Sequence, residues 1–503
     1  MNWRSSLDPY GAEDSFSYNY AGPPSLEASC PQETGIDSFG IHRYLLSWVV
    51  STNGYVRRIK SSVARWPIHT RQEGGGSEPM KTEITIDGAD SASASYVAWA
   101  PVHSSIRLVE PDEDVDFVDV VLRNQHENQG GQIVFLDAIP GEGQDRLRIR
   151  LSADGTPLDF FIAGKPGRPS QQDKDAVLET VEADTEVVLS TKALMVRIRK
   201  NANDLTAGER DRFLSAFAIL NNQGMGRFRD FRDMHRDNTS IEAHGRAGFL
   251  PWHRAYLLDL ERELQRIDPS VALHYWKFDE PAPNLFARDF IGVPNNLGRV
   301  QFEPGNPLEF WATDGAVAGI ERSPDFDSNT SAAFVMSEED TLLLGGPDDL
   351  YAGFIDMEGD PHGEAHTSFR GSISRIDTAA KDPLFFMLHA NVDRLWAKWQ
   401  WLNRRFDTAE LATYPFLGSA GDPGATRVGH NLRDTMWPWN QETNSPRPPT
   451  APGGDFPPSP TENAPGLVPT VGDMIDYQGT IDLGSRLGFD YDDFPSLIVE
   501  HRR

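Results

Sequence analysis

Cysteine is almost absent from this chain of 503 residues, where Cys30 stands alone. One thiol excludes a disulfide within the chain and zinc sites built on thiolates, so packing alone must hold the fold. Basic charge is also short, with 47 lysines and arginines against 75 acidic residues and a formal net charge of −28. Such a balance repels phosphate backbones and anionic membranes, which argues against nucleic acid or a membrane as partner. Long apolar runs are missing as well. The longest early one, residues 44–50, falls far below the roughly 20 residues a membrane-spanning helix needs. The N-terminal MNWRSSLDPYGAEDSFSYNY has no basic start leading into an apolar stretch, so the expectation is a cytoplasmic chain.

Histidine is scarce too, but it is not scattered. Six of the thirteen fall in two tight groups, His235, His244 and His253 in one and His362, His366 and His389 in the other. Two sets of three imidazoles on separate segments suit a pair of neighbouring first-row metal ions, each keeping an open position for a small ligand. A lone histidine on an apolar stripe is usually a satisfied core residue, but six at matching positions reverse that reading. Imidazole-only coordination suits copper or zinc, and copper heads the divalent affinity order.

The local pattern puts these rings on helices that face inward. Pro251 suits a first helical turn, after which His253, Leu257, Leu260 and Leu264 recur with helical spacing. Asp382 and Pro383 read as cap and first turn ahead of His389, Val392, Asp393 and Trp396. Asp360 and Pro361 likewise precede His362 and His366, four apart and therefore on one face. Helix-borne sets projecting inward predict a four-helix-bundle metal site. HGEAH is not the H-E-x-x-H of zinc proteases, because Glu364 follows His362 by two residues and points away from the metal face.

The chain changes character along its length. Residues 1–79 form a polar arm with a candidate helix over 38–66 and a Gly-rich connection, RQEGGGSEP, at 71–79. Residues 80–196 carry strand signals, VDFVDVVLRN, GQIVFLDAI and TEVVLSTKALMVRI among them, which predict a β-sandwich or small barrel. Within it, Leu147, Ile149 and Leu151 alternate with arginines, and Asp154-Gly155 offers a tight turn before Leu158, Phe160 and Ile162. That pattern predicts a half-buried hairpin. This β-rich region reads as a packing or oligomerisation module, or as a cover over the metal pocket. Residues 197–503 are mainly helical with long loops, and the Pro-rich stretch at 444–466 reads as a surface excursion rather than a linker.

Two segments carry a family likeness. FRDMHRDNTSIEAHGRAGFLPWHRAYLLDLERELQ, and MEGDPHGEAHTSFRG followed by KDPLFFMLHANVDRLWAKWQ, resemble the two copper-binding regions of the tyrosinase family, which includes catechol oxidases and haemocyanins. The resemblance covers residues 197–503. It implies two copper ions held by the six histidines, O2 as co-substrate, and a small phenolic or aminophenolic substrate leaving as an ortho-quinone or quinone imine. It leaves open a homo-oligomer, and haemocyanin-like reversible O2 binding is the alternative function.

Two further positions follow from the resemblance, and a third, Asp393, from its spacing. Glu358 matches the water-holding glutamate that helps deprotonate an incoming phenol. Gly363 stands where the usual partner asparagine would follow the first histidine of the second group, which predicts oxidation of ortho-diphenols or ortho-aminophenols ahead of monophenols. Asp393, four after His389, would orient an imidazole or anchor an arginine such as Arg254. No cysteine lies near His244, so the thioether link of some relatives cannot form. His274 stays outside the ligand set, and His42, His69, His103, His126, His430 and His501 carry no motif.

Overall fold

The structure is a computed structural model that describes residues 80–86, 96–111, 115–236, 241–245, 247–314, 317–459 and 461–500. The arm over 1–79, with Cys30, His42, His69 and the candidate helix over 38–66, lies outside them, as does His501.

Ten strands open the described chain: β1 (Lys81–Ile86), β2 (Tyr96–Val97), β3 (Val102–Val109), β4 (Phe117–Asn124), β5 (Ile133–Leu136), β6 (Gly141–Glu142), β7 (Arg146–Ser152), β8 (Leu158–Gly164), β9 (Ala176–Glu182) and β10 (Val188–Val196). Two sheets form, ordered β1-β3-β8-β5 and β2-β10-β9-β4-β7. Alternation explains their burial: Val118, Val120 and Leu122 of β4 point inward between the less buried Phe117, Asp119, Val121 and Arg123. Ile106, Phe160 and Ile162 from one sheet meet Val120, Leu178 and Leu194 from the other in one apolar cluster, so the two sheets share a single core.

The expected hairpin is not formed. β7 pairs with β4, whereas β8 pairs with β3 and β5. The turn at Asp154-Gly155 is present, with Gly155 at φ +77° and the Asp154 carboxylate accepting from the Thr156 amide at 2.9 Å. It carries the chain from one sheet to the other. Alternation reports that a strand has one buried face and is silent on its neighbour; here the two apolar faces meet across the core.

The remaining described chain carries eight α-helices, α1 (Ala207–Asn221), α2 (Phe228–Met234), α3 (Phe249–Ile267), α4 (Glu338–Leu342), α5 (Tyr351–Phe354), α6 (Glu364–Thr367), α7 (Ile376–Ala379) and α8 (Leu384–Asn403), set among long loops and turns that make up most of it, so it is less helical than expected. A capping box starts α1, in which Thr206 and Glu209 satisfy each other's backbone amides. At the other end of the set, Asp382 accepts from the Leu384 amide at 3.0 Å and so opens α8. α3 packs against both α1 and α8. Its stripe of His253, Leu257, Leu260 and Leu264 is buried, and so are Arg254, Asp259, Glu261, Arg262 and Glu263; Glu261 holds Arg199, and Arg262 donates to the carbonyls of Pro457 and Ala464. Those last bonds fasten the Pro-rich stretch to α3. Among the described residues, no helix is long and apolar enough to cross a membrane.

The β-rich region docks on the far end of this helical pair. Trp99, fully buried, donates its indole N–H to the Tyr491 carbonyl at 2.7 Å, and the Asp490 carboxylate accepts from the amides of Trp99 and Ala100. Val499–Glu500 adds a short parallel pairing with β6. Tyr491 in turn reaches Asp393 on α8, a turn of helix beyond His389.

Candidate metal centre

Each histidine of the two groups is placed by a different local device. His235 caps the C-terminus of α2, and His253 sits in α3. His362 lies in the wide turn Gly359–Gly363, where Asp360 leaves helical geometry, and His366 follows on α6. His389 is on α8. His244 is on no helix.

Four rings are anchored in the same way. Nδ1 of His253 lies 2.9 Å from the Phe249 carbonyl, Nδ1 of His362 2.7 Å from that of Glu358, and Nδ1 of His366 2.7 Å from that of Ile373. Nδ1 of His235 lies 3.2 Å from the Ile376 carbonyl. A carbonyl only accepts, so these Nδ1 atoms carry the proton and the Nε2 lone pairs are left to point elsewhere. Nε2 of His235, His253 and His362 is buried without a hydrogen-bond partner, and Nε2 of His366 faces that of His389 at 3.2 Å.

Burial drives the pKa of His235, His253, His362 and His389 well below the ordinary imidazole value, with the neighbouring rings adding to the effect. Burial likewise lowers His366 to about 4. Neutral rings with buried, convergent and unpartnered lone pairs are what a cation needs and what a packed apolar core would not leave. Within each trio one nitrogen per ring lies within 4.8 Å of the others, so each trio is a group that could hold a metal ion.

The trios adjoin. His253 and His389, one from each, stack with centroids 4.2 Å apart and planes 8° apart. Phe249 packs at 4.7 Å from His253 and 4.8 Å from His362, while Phe385 packs at 4.5 Å from His235 and 4.3 Å from His389. Trp252 and Tyr256 close the α3 side. His235, His253, His362 and His389 are buried, while His244 and His366 are only half-buried.

The common central domain of tyrosinase, as a family profile, matches residues 225–402. A tyrosinase from Streptomyces antibioticus is 31% identical over 273 residues, which span 49% of this chain and 94% of that protein. The chain belongs to the tyrosinase family. Hemocyanin 2 of Megathura crenulata is 30% identical over 222 residues, 41% of this chain and 6% of that protein. Among solved structures, a tyrosinase from Burkholderia thailandensis aligns at 17% identity and a TM-score of 0.38, covering 60% of this chain and 75% of that one. Family membership implies a dicopper centre, and the donor set fits it: neutral nitrogen ligands, three per ion, in an apolar pocket.

The other expected site residues of this tyrosinase-family chain fall as follows. Asp393 touches no imidazole. It accepts from Arg254 Nε at 2.6 Å, Arg199 Nη1 at 3.1 Å and the Tyr491 hydroxyl at 2.6 Å, while Nδ1 of His389 finds no partner. Of the two roles expected for it, anchoring arginine is the one its contacts match. Glu358 accepts the His362 ring proton through its backbone and the Gly245 amide through its carboxylate, at 2.6 Å. Gly363 is half-buried in helical geometry, and a Cβ there would meet only the Glu358 carbonyl, at 3.4 Å. His274 uses Nδ1 to accept from the Lys200 amide and lies apart from both trios.

Sequence reasoning passed over Phe249 and Phe385, although their spacing from His253 and His389, four residues each, was a usable signal. It also passed over the carbonyls of Ile373 and Ile376, for which no side-chain pattern exists. For five of the six rings, the aromatic contacts come from α3, α8 and the other histidines, and none of these comes from β1–β10.

Proposed function

We propose that this chain is a dicopper oxidase that uses O2 to convert ortho-diphenols or ortho-aminophenols to ortho-quinones or quinone imines. One ion is held by His235, His244 and His253 and the other by His362, His366 and His389, on a four-helix bundle made of α2, α3, α8 and the segment around α6. Residues 80–196 form a separate β-rich domain ahead of a catalytic domain over 197–503. The single observation that carries this reading is the adjoining of the trios, with His253 stacked on His389 across them.

Copper bound there would supply the one-electron steps toward O2. The chain's own residues supply the rest. Backbone carbonyls fix the proton on Nδ1 of four ligands, so that Nε2 stays available. Phe249, Phe385, Trp252 and Tyr256 keep the inner side dry, and the half-open side over His244 and His366 admits one aromatic ring. A docked diphenol or aminophenol lies with its two heteroatoms toward the histidines, and Glu358, whose carboxylate accepts from the Gly245 amide next to His244, serves as the base. With Gly363 in place of a side-chain amide, the partner expected to hold a water with Glu358 is missing, so proton removal from a monophenol is disfavoured.

Initial rates on dopamine and tyramine, followed by O2 uptake, test this. Dopamine is expected to be consumed faster, and a higher rate on tyramine refutes the substrate preference. Binding of O2 without any consumption of either substrate would instead favour haemocyanin-like carriage, the second reading that the hemocyanin similarity supports.

A further inference from the structure

His244 differs from the other five histidines in having no helix to aim it, and no cysteine is near enough in sequence to tie its ring covalently. Its segment is instead gripped from several sides. The Glu242 carboxylate, buried, accepts from Arg447 Nε at 2.5 Å and from the Trp437 amide at 2.9 Å. The Arg427 guanidinium donates to the His244 carbonyl. The Gly245 amide donates to Glu358 at 2.6 Å, the Ala247 carbonyl accepts from the Tyr351 hydroxyl, and the Gly248 amide donates to Nδ1 of His430 at 2.9 Å.

Two of these grips are built together. With Nδ1 of His430 accepting from Gly248, its Nε2 carries the ring proton, so Nε of Arg427, 2.9 Å away, packs against the ring without a hydrogen bond to it; the guanidinium that holds the His244 carbonyl thus lies against the imidazole that holds Gly248. Tyr414 donates to the His430 carbonyl at 2.9 Å, and the Asp434 carboxylate holds the amides of Gly429 and Asn431. The approach is so close that only glycine fits at either contact. A Cβ on Gly248 would lie 2.8 Å from His430 Nδ1, and one on Gly429, at φ +83°, would lie 2.3 Å from the Glu242 carboxyl carbon.

We infer that Arg427 and His430 are positioning residues for His244, a noncovalent clamp that fixes the one copper ligand lacking helical support. The inference rests on the dicopper reading. Ligand imidazoles bind tightly only when an outer partner prevents them from turning away, and loss of such a partner typically weakens metal binding by about 10- to 100-fold. Arg427 is exposed, so truncating it removes the clamp without opening the core. His430 is buried and would confound the two effects.

The test compares copper-loaded full-length chains of wild type, Arg427→Ala and Arg427→Lys during dialysis against a copper chelator, with copper per chain and the melting temperature of the copper-free proteins as readouts. Arg427→Ala is expected to pass from two ions toward one about tenfold faster than wild type, with an unchanged copper-free melting temperature and partial rescue in Arg427→Lys. Copper release at the wild-type rate, or loss of both ions together with a lowered copper-free melting temperature, overturns the positioning role. Wild type that never holds two ions overturns the dicopper reading and this inference with it, which separates the two failures.

Discussion

Replacing Asp393 by asparagine distinguishes a charge anchor from an imidazole orienter. Asp393 is buried, and its carboxylate faces two buried arginines and a buried tyrosine. Arg199 would keep Glu261, which it meets at 2.6 Å. Arg254 would keep only neutral acceptors, Gln400 at 2.9 Å and the Met474 carbonyl at 2.7 Å, together with the Trp396 ring 3.7 Å from its guanidinium carbon. Removing one partner of a buried ion pair costs about 3–5 kcal/mol, because the remaining charge stays buried. The surviving contacts of both arginines place the expected loss near the lower end, about 3 kcal/mol. Urea unfolding of the copper-loaded protein measures it, and copper per chain at low temperature is expected to remain two. A loss below about 1 kcal/mol, or release of one copper from a variant of normal stability, refutes the anchor reasoning.

Two further outcomes follow from neighbouring sites. Burial raises Asp259 from its ordinary value to about 7, against the indole N–H of Trp439 that it accepts at 2.7 Å. A raised folded-state pKa means that its favourable contribution is complete below about pH 4 and is lost as pH rises through about 7, a ceiling of about 4 kcal/mol. Asp259→Asn keeps an oxygen for Trp439 and removes the titration, so the variant should gain on wild type between pH 5 and pH 8 in thermal unfolding, about in step with that ceiling's sign; parallel pH profiles would contradict the assignment. Gly363→Asn places a side-chain amide beside Glu358 where the backbone is helical and a Cβ is admitted. The tyramine-to-dopamine rate ratio is expected to rise about tenfold, and an unchanged ratio would remove Gly363 from the control of substrate preference.

Much of the metal site was legible because its ligands are local. His253 with its leucines, and His389 with Asp393 and Trp396, advertise an inward helical face through spacing alone, and those faces are buried as expected. The Asp382 cap was readable for the same reason. The strand pairing was not. Alternation in β7 and β8 predicted two half-buried strands joined by a turn, and both strands and the turn are there, but hydrogen-bond partners of strands are chosen by the whole sandwich. Asp393 illustrates the same boundary: its inward direction was readable, while its choice of Arg254, Arg199 and Tyr491 over His389 required residues from 199 to 491 to converge.

By itself the order of residues determined that His253 and His389 would be presented on inward helical faces, because helical periodicity and caps act over a few residues. Only the folded chain decided that His253 would stack on His389, that carbonyls at 373 and 376 would set the tautomers, and that residues 427–430 would grip the segment of His244. Apart from the Ile373 carbonyl, seven residues from His366, those contacts join atoms more than a hundred residues apart, and the free energy that selects them comes from burying the entire core rather than from any local preference.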